Sequence, residues 1–342
     1  MDRKMRAALV SFTENGDATA KRAAEALTGY ELVKAGKNTD KRDMPLSQWT
    51  RERFSDSGLI IFVGAVGIAV RACAPYIAAK DRDPAVIVID ELGRYVIPLL
   101  SGHIGGANRA ARLIAERIGA EAIITTATDI NGCFAADEWG VQNGYAIDDI
   151  SEIKHISAAV LAGEKLGLCS DFIVNGTAPE CFDGGAHRCG LLIADRPRKV
   201  FEHTLCLMPK RFVIGVGSRA GAPGEELIAL VKKTLRENGI DARAIAAVVS
   251  VELKKDEPAI AELAERLGCE TEFYTADELK NVRGDFSESE FVRSVTGVGN
   301  VCERAAMLYG ARRGRKTELL VKKTKGNGVT AAAAVMEWSV DF

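Results

Sequence analysis

The chain holds four histidines, and one of them stands where acid–base chemistry is natural. His103 lies inside Ser101-Gly102-His103-Ile104-Gly105-Gly106-Ala107-Asn108, a glycine loop opening a predicted helix. An imidazole there can act as general base near neutral pH or donate to a carbonyl oxygen. A helix N-terminus disfavours imidazolium, so the sequence reading keeps this ring neutral, with neighbouring N–H groups free to hold an oxyanion. The plainer reading, a histidine that caps the helix or fills the turn, stands beside it. Ser101 is a nucleophile candidate of lesser weight, since no GxSxG surrounds it and no Ser-His-Asp order stands out. If His103 is not the base, the role passes to Glu91, Asp256 or Glu257.

Two further glycine loops could hold an anion. Gly64-Ala65-Val66-Gly67-Ile68-Ala69-Val70-Arg71 follows a predicted strand, and so does Gly215-Val216-Gly217-Ser218-Arg219-Ala220-Gly221. Glycines let the backbone approach a ligand, and the free N–H groups of a following helix favour negative charge. Each loop alone is a tight strand-to-helix turn. Three of them, two carrying Arg71 or Arg219, favour anion binding. The residues expected to contact substrate are Gly64, Arg71, Gly102, Gly105, Gly106, Asn108, Gly217, Arg219, Lys254, Lys255 and Lys322. Lys254 and Lys255 follow a strand end. Lys322 opens a basic run after an apolar strand, where a polycarboxylate could be met, whereas Arg312–Lys316 reads as a solvated face. None of the loops has GxGxxG spacing, and no GxxxxGK[ST] occurs, so a nucleotide-binding enzyme is disfavoured.

Cys181, His187, Cys189, His203 and Cys206 gather soft ligands, but their spacing is irregular and no CxxC pair occurs. The expectation is no protein metal site. Net charge is −2, so no global field draws the chain to nucleic acid or membrane. Aromatic residues make up 6% and do not interleave with basic ones, which argues against a nucleic-acid groove. No apolar stretch is long enough to span a bilayer. The first residues pass straight into a strand-like run, so the expected compartment is the cytoplasm.

The elements that must position these residues are α/β. Short apolar runs alternate with amphipathic stretches, as in βα units around a largely parallel sheet. Strands are predicted at Ala7–Phe12, Leu59–Val63, Ala85–Asp90, Tyr95–Leu100 and Ala122–Thr125, and helices at Ala18–Leu27, Val66–Ala79 and Ala107–Ile118. The short gap Glu91-Leu92-Gly93-Arg94 predicts a hairpin and hence a mixed sheet. Near Gly132 the rhythm becomes less regular, with a helix at Ile150–Leu161. It resumes with strands at Phe212–Val216, Ala246–Ser250, Glu270–Tyr274, Glu318–Val321 and Val329–Val335. The helices there are one ending near Glu237, Pro258–Leu267 and Val301–Arg312. The expected organisation is two α/β domains, 1–131 and 210–342, with mixed, largely parallel sheets, joined by a smaller, less regular middle domain, 132–209.

Two stretches carry a family resemblance. One is Asp81-Arg82-Asp83-Pro84 through Glu91-Leu92-Gly93-Arg94, continued by Ile97-Pro98-Leu99-Leu100 and the His103 loop. The other comprises Gly215-Val216-Gly217-Ser218-Arg219, Ser250 to Glu257, Ser289-Glu290-Phe291-Val292, Thr296 to Glu303 and Val329-Thr330-Ala331. Together they resemble the cobalamin-biosynthesis family CbiG over roughly 59–130 and 211–335. At Ser218 the resemblance implies Cys, so a catalytic thiol at that position would be missing here. The resemblance implies an anaerobic corrin-pathway hydrolase that opens a ring δ-lactone and releases acetaldehyde. The substrate would be an anionic corrinoid carrying its own cobalt, with no cofactor held by the protein. Such a ring bears many carboxylates, which suits Arg and Lys. Its width suggests binding between the terminal domains. Partners would be limited to a homodimer or a transient contact with neighbouring pathway enzymes. The competing class is a non-catalytic protein that binds or chaperones corrinoid intermediates.

Overall fold

The structure, a computed structural model, describes residues 6–35, 44–79, 82–219 and 221–342. Asp81 and Ala220 of the sequence motifs lie outside the described residues. By packing, the chain divides into one compact unit of 1–141 with 160–163 and a second of 142–159 with 164–342.

In chain order, the first unit contains β1 (Arg6–Ser11), α1 (Glu14–Glu25), β2 (Glu31–Ala35), α2 (Leu46–Asp56), β3 (Leu59–Val63) and α3 (Val66–Cys73). It continues with β4 (Ala85–Ile89), β5 (Tyr95–Leu100), α4 (Ala107–Ile118), β6 (Glu121–Ala122), α5 (Ala127–Ile130) and α6 (Ala136–Gln142). Its sheet runs β2-β1-β3-β4-β5-β6. β3 and β4 are unbroken apolar runs, buried along their whole length. That pattern demands cover on both faces. Ala20, Ala23, Ala107, Ala111 and Ile114 cover one face, and Trp49, Phe54, Ala69 and Cys73 the other.

The expected hairpin is present: β4 pairs with β5 antiparallel while the other pairs are parallel. Asp90 builds its turn. One carboxylate oxygen accepts from the Arg94 and Tyr95 N–H groups at 2.7 and 2.6 Å, and Gly93 supplies φ of 68°.

The structure also adds to the sequence reading and corrects it. β2 and α2 went unread, β2 because only Val33 is buried in it. α3 stops at Cys73, and a 3-10 turn over Ala74–Tyr76 takes its place, because Pro75 has no N–H for the helical ladder. α1 starts earlier than read, since the Thr13 hydroxyl accepts from Gly16 N–H and caps it at Glu14.

The second unit contains β7 (Tyr145–Ile147), α7 (Ile153–Leu161), β8 (Gly167–Ser170), β9 (Ile173–Asn175), β10 (Cys189–Ile193) and β11 (His203–Pro209). After these come β12 (Phe212–Ser218), α8 (Gly224–Asn238), β13 (Ile245–Val251), α9 (Pro258–Leu267), β14 (Glu270–Tyr274), α10 (Ala276–Lys280) and α11 (Glu290–Thr296). It ends with α12 (Cys302–Arg312), β15 (Thr317–Lys325), β16 (Val329–Met336) and β17 (Ser339–Asp341). Two larger sheets result, β7-β11-β10-β8 and β14-β13-β12-β16-β15. The stretch expected to be irregular therefore holds a sheet of its own. Among the described residues no helix is long and apolar enough to cross a membrane.

α12 lies so close to β12 that a Cβ on Gly215 would sit 1.8 Å from the Cys302 carbonyl oxygen. Backbone cannot give way as a flexible side chain can. Gly215→Ala is therefore expected to cost about 1–3 kcal/mol, measured as a lowered urea midpoint. An unchanged midpoint would mean that α12 shifts freely.

Candidate functional site

The loop after β5 is built to turn sharply. Ser101 has φ of 56° and is the sole non-glycine with positive φ among the described residues. Its hydroxyl donates to the Asp83 carbonyl at 3.1 Å. A Cβ on Gly105 would lie 2.3 Å from Ser101 Cβ and 2.7 Å from Ser101 O, so only glycine fits. The loop then satisfies its own backbone. Gly106 N–H donates to His103 O, Ala107 N–H to Ser101 O and Asn108 N–H to Gly102 O, at 2.9–3.1 Å. These three donors are spent, which corrects the expectation that they hold an oxyanion.

The turn aims His103 at two short helices. Nε2 lies 3.0 Å from Asp129 Oδ2 on α5, and Nδ1 lies 3.3 Å from Asp137 Oδ2 on α6. Thr128 Oγ1 is 3.3 Å from Nε2. Asn108, buried in the first turn of α4, donates through Nδ2 to Thr126 Oγ1 and Asp129 Oδ2, both at 2.9 Å. Arg112 follows four residues later on the same helical face and binds the other Asp129 oxygen. Glu138 completes the cluster, its carboxylate grouped with His103 and Asp129.

Burial sharpens these charges. Side-chain exposure is 15% for His103, 8% for Asp129 and 5% for Asp137. The hydrogen bond to Asp137 is the largest influence on His103. It and the Asp129 interactions outweigh desolvation and push the imidazole up to about 9. The ring is thus a cation at neutral pH, which corrects the neutral-base reading. Helix-end dipoles amount to partial charges, whereas two carboxylates at hydrogen-bond distance are whole ones. For Asp129, burial pulls upward, but the hydrogen bonds from Arg112 and His103 prevail and hold the carboxyl below its usual range. Burial pushes Glu138 upward against the pull of His103. Asp137 Oδ1 is buried with no hydrogen-bond partner among the described residues, which leaves one strong acceptor for a ligand or water.

The remaining sequence candidates have surroundings of their own within each unit. Glu91 sits in the β4–β5 turn and accepts from Asn15 at 3.1 Å, and no contact joins it to His103 among the described residues. Gly64 packs against Phe12, whose ring a Cβ would meet at 2.9 Å. Arg71 is exposed and folds back to donate to Gly67 O at 3.0 Å. At the end of β12, Gly217 faces Thr330, and exposed Arg219 lies along Gly328. Lys254 pairs with Glu257 at 2.9 Å, and Lys255 is exposed beside it.

Lys322 belongs to β15 rather than to a loop after a strand, and it pairs with Asp285 at 2.9 Å. β15 is an edge strand, where lysines deter edge-to-edge pairing. Arg312 and Arg313 are exposed, as read, and are also ion-paired with Glu270, Glu272 and Glu278. Among the Cys/His run, Cys189 and Cys206 are buried within β10 and β11, and His187 bonds to Asp183.

Asp129, Asp137, Glu138 and Arg112 were missed. The four-residue step from Asn108 to Arg112 was a usable signal. The acids were not, because they fall where the sequence rhythm breaks.

Three family models match the chain: cobalamin synthesis G N-terminal over residues 48–129, cobalamin biosynthesis central region over 134–209, and cobalamin synthesis G C-terminus over 212–334. A cobalt-precorrin-5A hydrolase of Salmonella typhimurium is 34% identical, with 96% of this chain and 97% of that protein covered. A protein of the same name from Priestia megaterium is 32% identical over 83% of this chain and 80% of its own length. Among solved structures, a cobalamin biosynthesis protein G homolog from Sulfolobus solfataricus is 24% identical, covers 98% of this chain and 99% of its own, and has a TM-score of 0.43.

Proposed function

The chain belongs to the cobalamin synthesis G family, and from that premise we propose that it is a hydrolase of cobalt-precorrin-5A whose acid–base centre is His103 with its carboxylates. The observation that carries the site is the buried Asp129–His103–Asp137 array. Water adds to the lactone carbonyl, and the acyl–oxygen bond breaks to give a carboxylate and a ring-bound alcohol. That alcohol loses its proton as the carbon–carbon bond to the macrocycle breaks. Acetaldehyde departs, the electron pair passes to the ring, and the ring carbon takes a proton.

Two opposite roles are needed, an acceptor for the water proton and a donor for the departing oxygen. His103, already charged, is the donor, and its charge stabilises the tetrahedral oxyanion. Glu138, made more basic by burial, is the acceptor best suited to water. Asp137 positions the imidazole through Nδ1. Cobalt enters as part of the substrate. The cytoplasm as compartment, and a homodimer or passing contacts with pathway neighbours, complete the reading.

Incubating pure protein with cobalt-precorrin-5A should release one acetaldehyde per ring consumed. Tight binding of the coloured substrate without acetaldehyde would instead make the chain a carrier. Arg219, exposed beside Gly328, is assigned to the substrate's carboxylates. Arg219→Ala should raise KM several-fold with kcat nearly unchanged, since it removes ground-state and transition-state binding alike. Added salt should raise the wild-type KM more than the variant's. An unchanged KM would remove Arg219 from the binding surface.

A further inference from the structure

We propose that Glu152, His155 and His203 form a binding site for a divalent transition-metal ion, separate from the His103 cluster and independent of the hydrolase reading. Glu152, the turn residue just before α7, and His155 in its first turn stand three residues apart, so their side chains fall on one side of the helix start. Ile153 and Ile156 are buried and anchor the adjacent stripe of that turn, while Glu152 and His155 are half-buried. His203, the first residue of β11, meets them from the sheet. Its Nδ1 is 3.1 Å from Glu152 Oε2, and its ring stacks on His155 with centroids 3.8 Å apart.

The candidate ligand atoms of all three lie within 4.8 Å of one another. In a tetrahedral zinc site with bonds of about 2.0–2.1 Å, neighbouring ligand atoms are about 3.3 Å apart. Closing that gap needs only terminal side-chain rotations, which are soft for imidazole and carboxylate. The two rings would turn out of their stack so that both lone pairs converge, and the ion would replace the Glu152–His203 hydrogen bond.

A second feature points the same way. Glu202 Oε1 lies 3.8 Å from His203 Nε2, on the nitrogen opposite the proposed ion. At that distance it is an ion-pair contact rather than a hydrogen bond, and it adds negative charge beside the proposed ion. Two imidazoles with one carboxylate suit zinc, nickel, copper or cobalt(II) better than magnesium or calcium, and leave at least one position open. The cysteines that made the sequence look metal-like do not supply the ligands. Of that run, only His203 takes part.

The test is calorimetric titration of Zn2+ alone into chelator-treated full-length protein, with Co2+ absorption reporting the geometry. The expected result is one saturable site per chain, weakened at least about tenfold by His155→Ala and by Glu152→Gln. Both substitutions are at half-buried positions and should leave the fold intact, checked by circular dichroism. Absence of saturable binding would overturn the proposal. So would binding unchanged in both variants, or binding lost instead with His103→Ala, which would move the ion to the His103, Asp129 and Glu138 group.

Discussion

Replacing His103 by alanine is expected to lower acetaldehyde release at least about a hundredfold, with binding of the coloured substrate much less affected. In the proposed mechanism the imidazolium supplies both the proton for the departing oxygen and the charge facing the oxyanion, so its loss acts on the transition state and should appear in kcat. The substitution also removes the cation between two buried carboxylates. An uncompensated charge of that kind costs about 3 kcal/mol or more, so a folded but weakened protein is expected. His103→Gln separates the two effects. Its amide restores polar contacts to Asp129 and Asp137 but cannot carry the proton. Stability should recover in part while turnover stays low. If His103→Ala folds normally and keeps near-full acetaldehyde release, His103 is a turn residue and the acid must be sought elsewhere.

Asp137→Asn is expected to move the alkaline limb of the pH–rate profile. Asp137 is the largest influence holding His103 up at about 9. With an imidazolium as the working form, wild-type kcat falls as pH rises through about 9. Without the Asp137 charge the limb moves down toward the ordinary imidazole value, Asp129 still holding it somewhat above. At pH 8, full relaxation from about 9 to about 6.5 would cut the charged fraction about thirtyfold. At pH 6 the two proteins should differ much less. An activity that instead rises through the alkaline limb would identify the neutral ring as the working form and return His103 to the role of base.

Stability follows the same sign. The stabilisation from the raised His103 value is complete below its ordinary 6.5 and is lost as pH rises through about 9. That from Asp129, whose value is lowered, is present above the ordinary carboxylate range and lost as pH falls through its folded value. Urea midpoints of wild type and Asp137→Asn across pH 6–10 should therefore converge at the alkaline end.

Much was legible locally. β3, β5, β14, α4 and α9 coincide with their sequence readings, and β4 ends one residue before its reading. Continuous apolar runs and one-sided helical faces carry their signal within a few residues of chain. The β4–β5 hairpin was readable because Asp90 and Gly93 close it without distant help. So was the His103 loop, since glycine spacing alone announces a tight turn. The family resemblance rested on the same short motifs. Boundaries set by neighbours were not readable. β15 runs on through Lys322 and Lys325 because β16 pairs with it across two register shifts.

The protonation of His103 is the clearest case of what only the tertiary structure decided. Asp129 and Asp137 lie 26 and 34 residues beyond it, on separate short helices. A side chain's proton affinity sums the charges around it in space, at distances of a few ångströms, whatever their separation along the chain. The sequence by itself determined that a histidine would stand in a glycine turn at the mouth of a helix. The packing of α5 and α6 against that turn places it between two buried carboxylates, which raise its proton affinity and underlie the proposed role as acid.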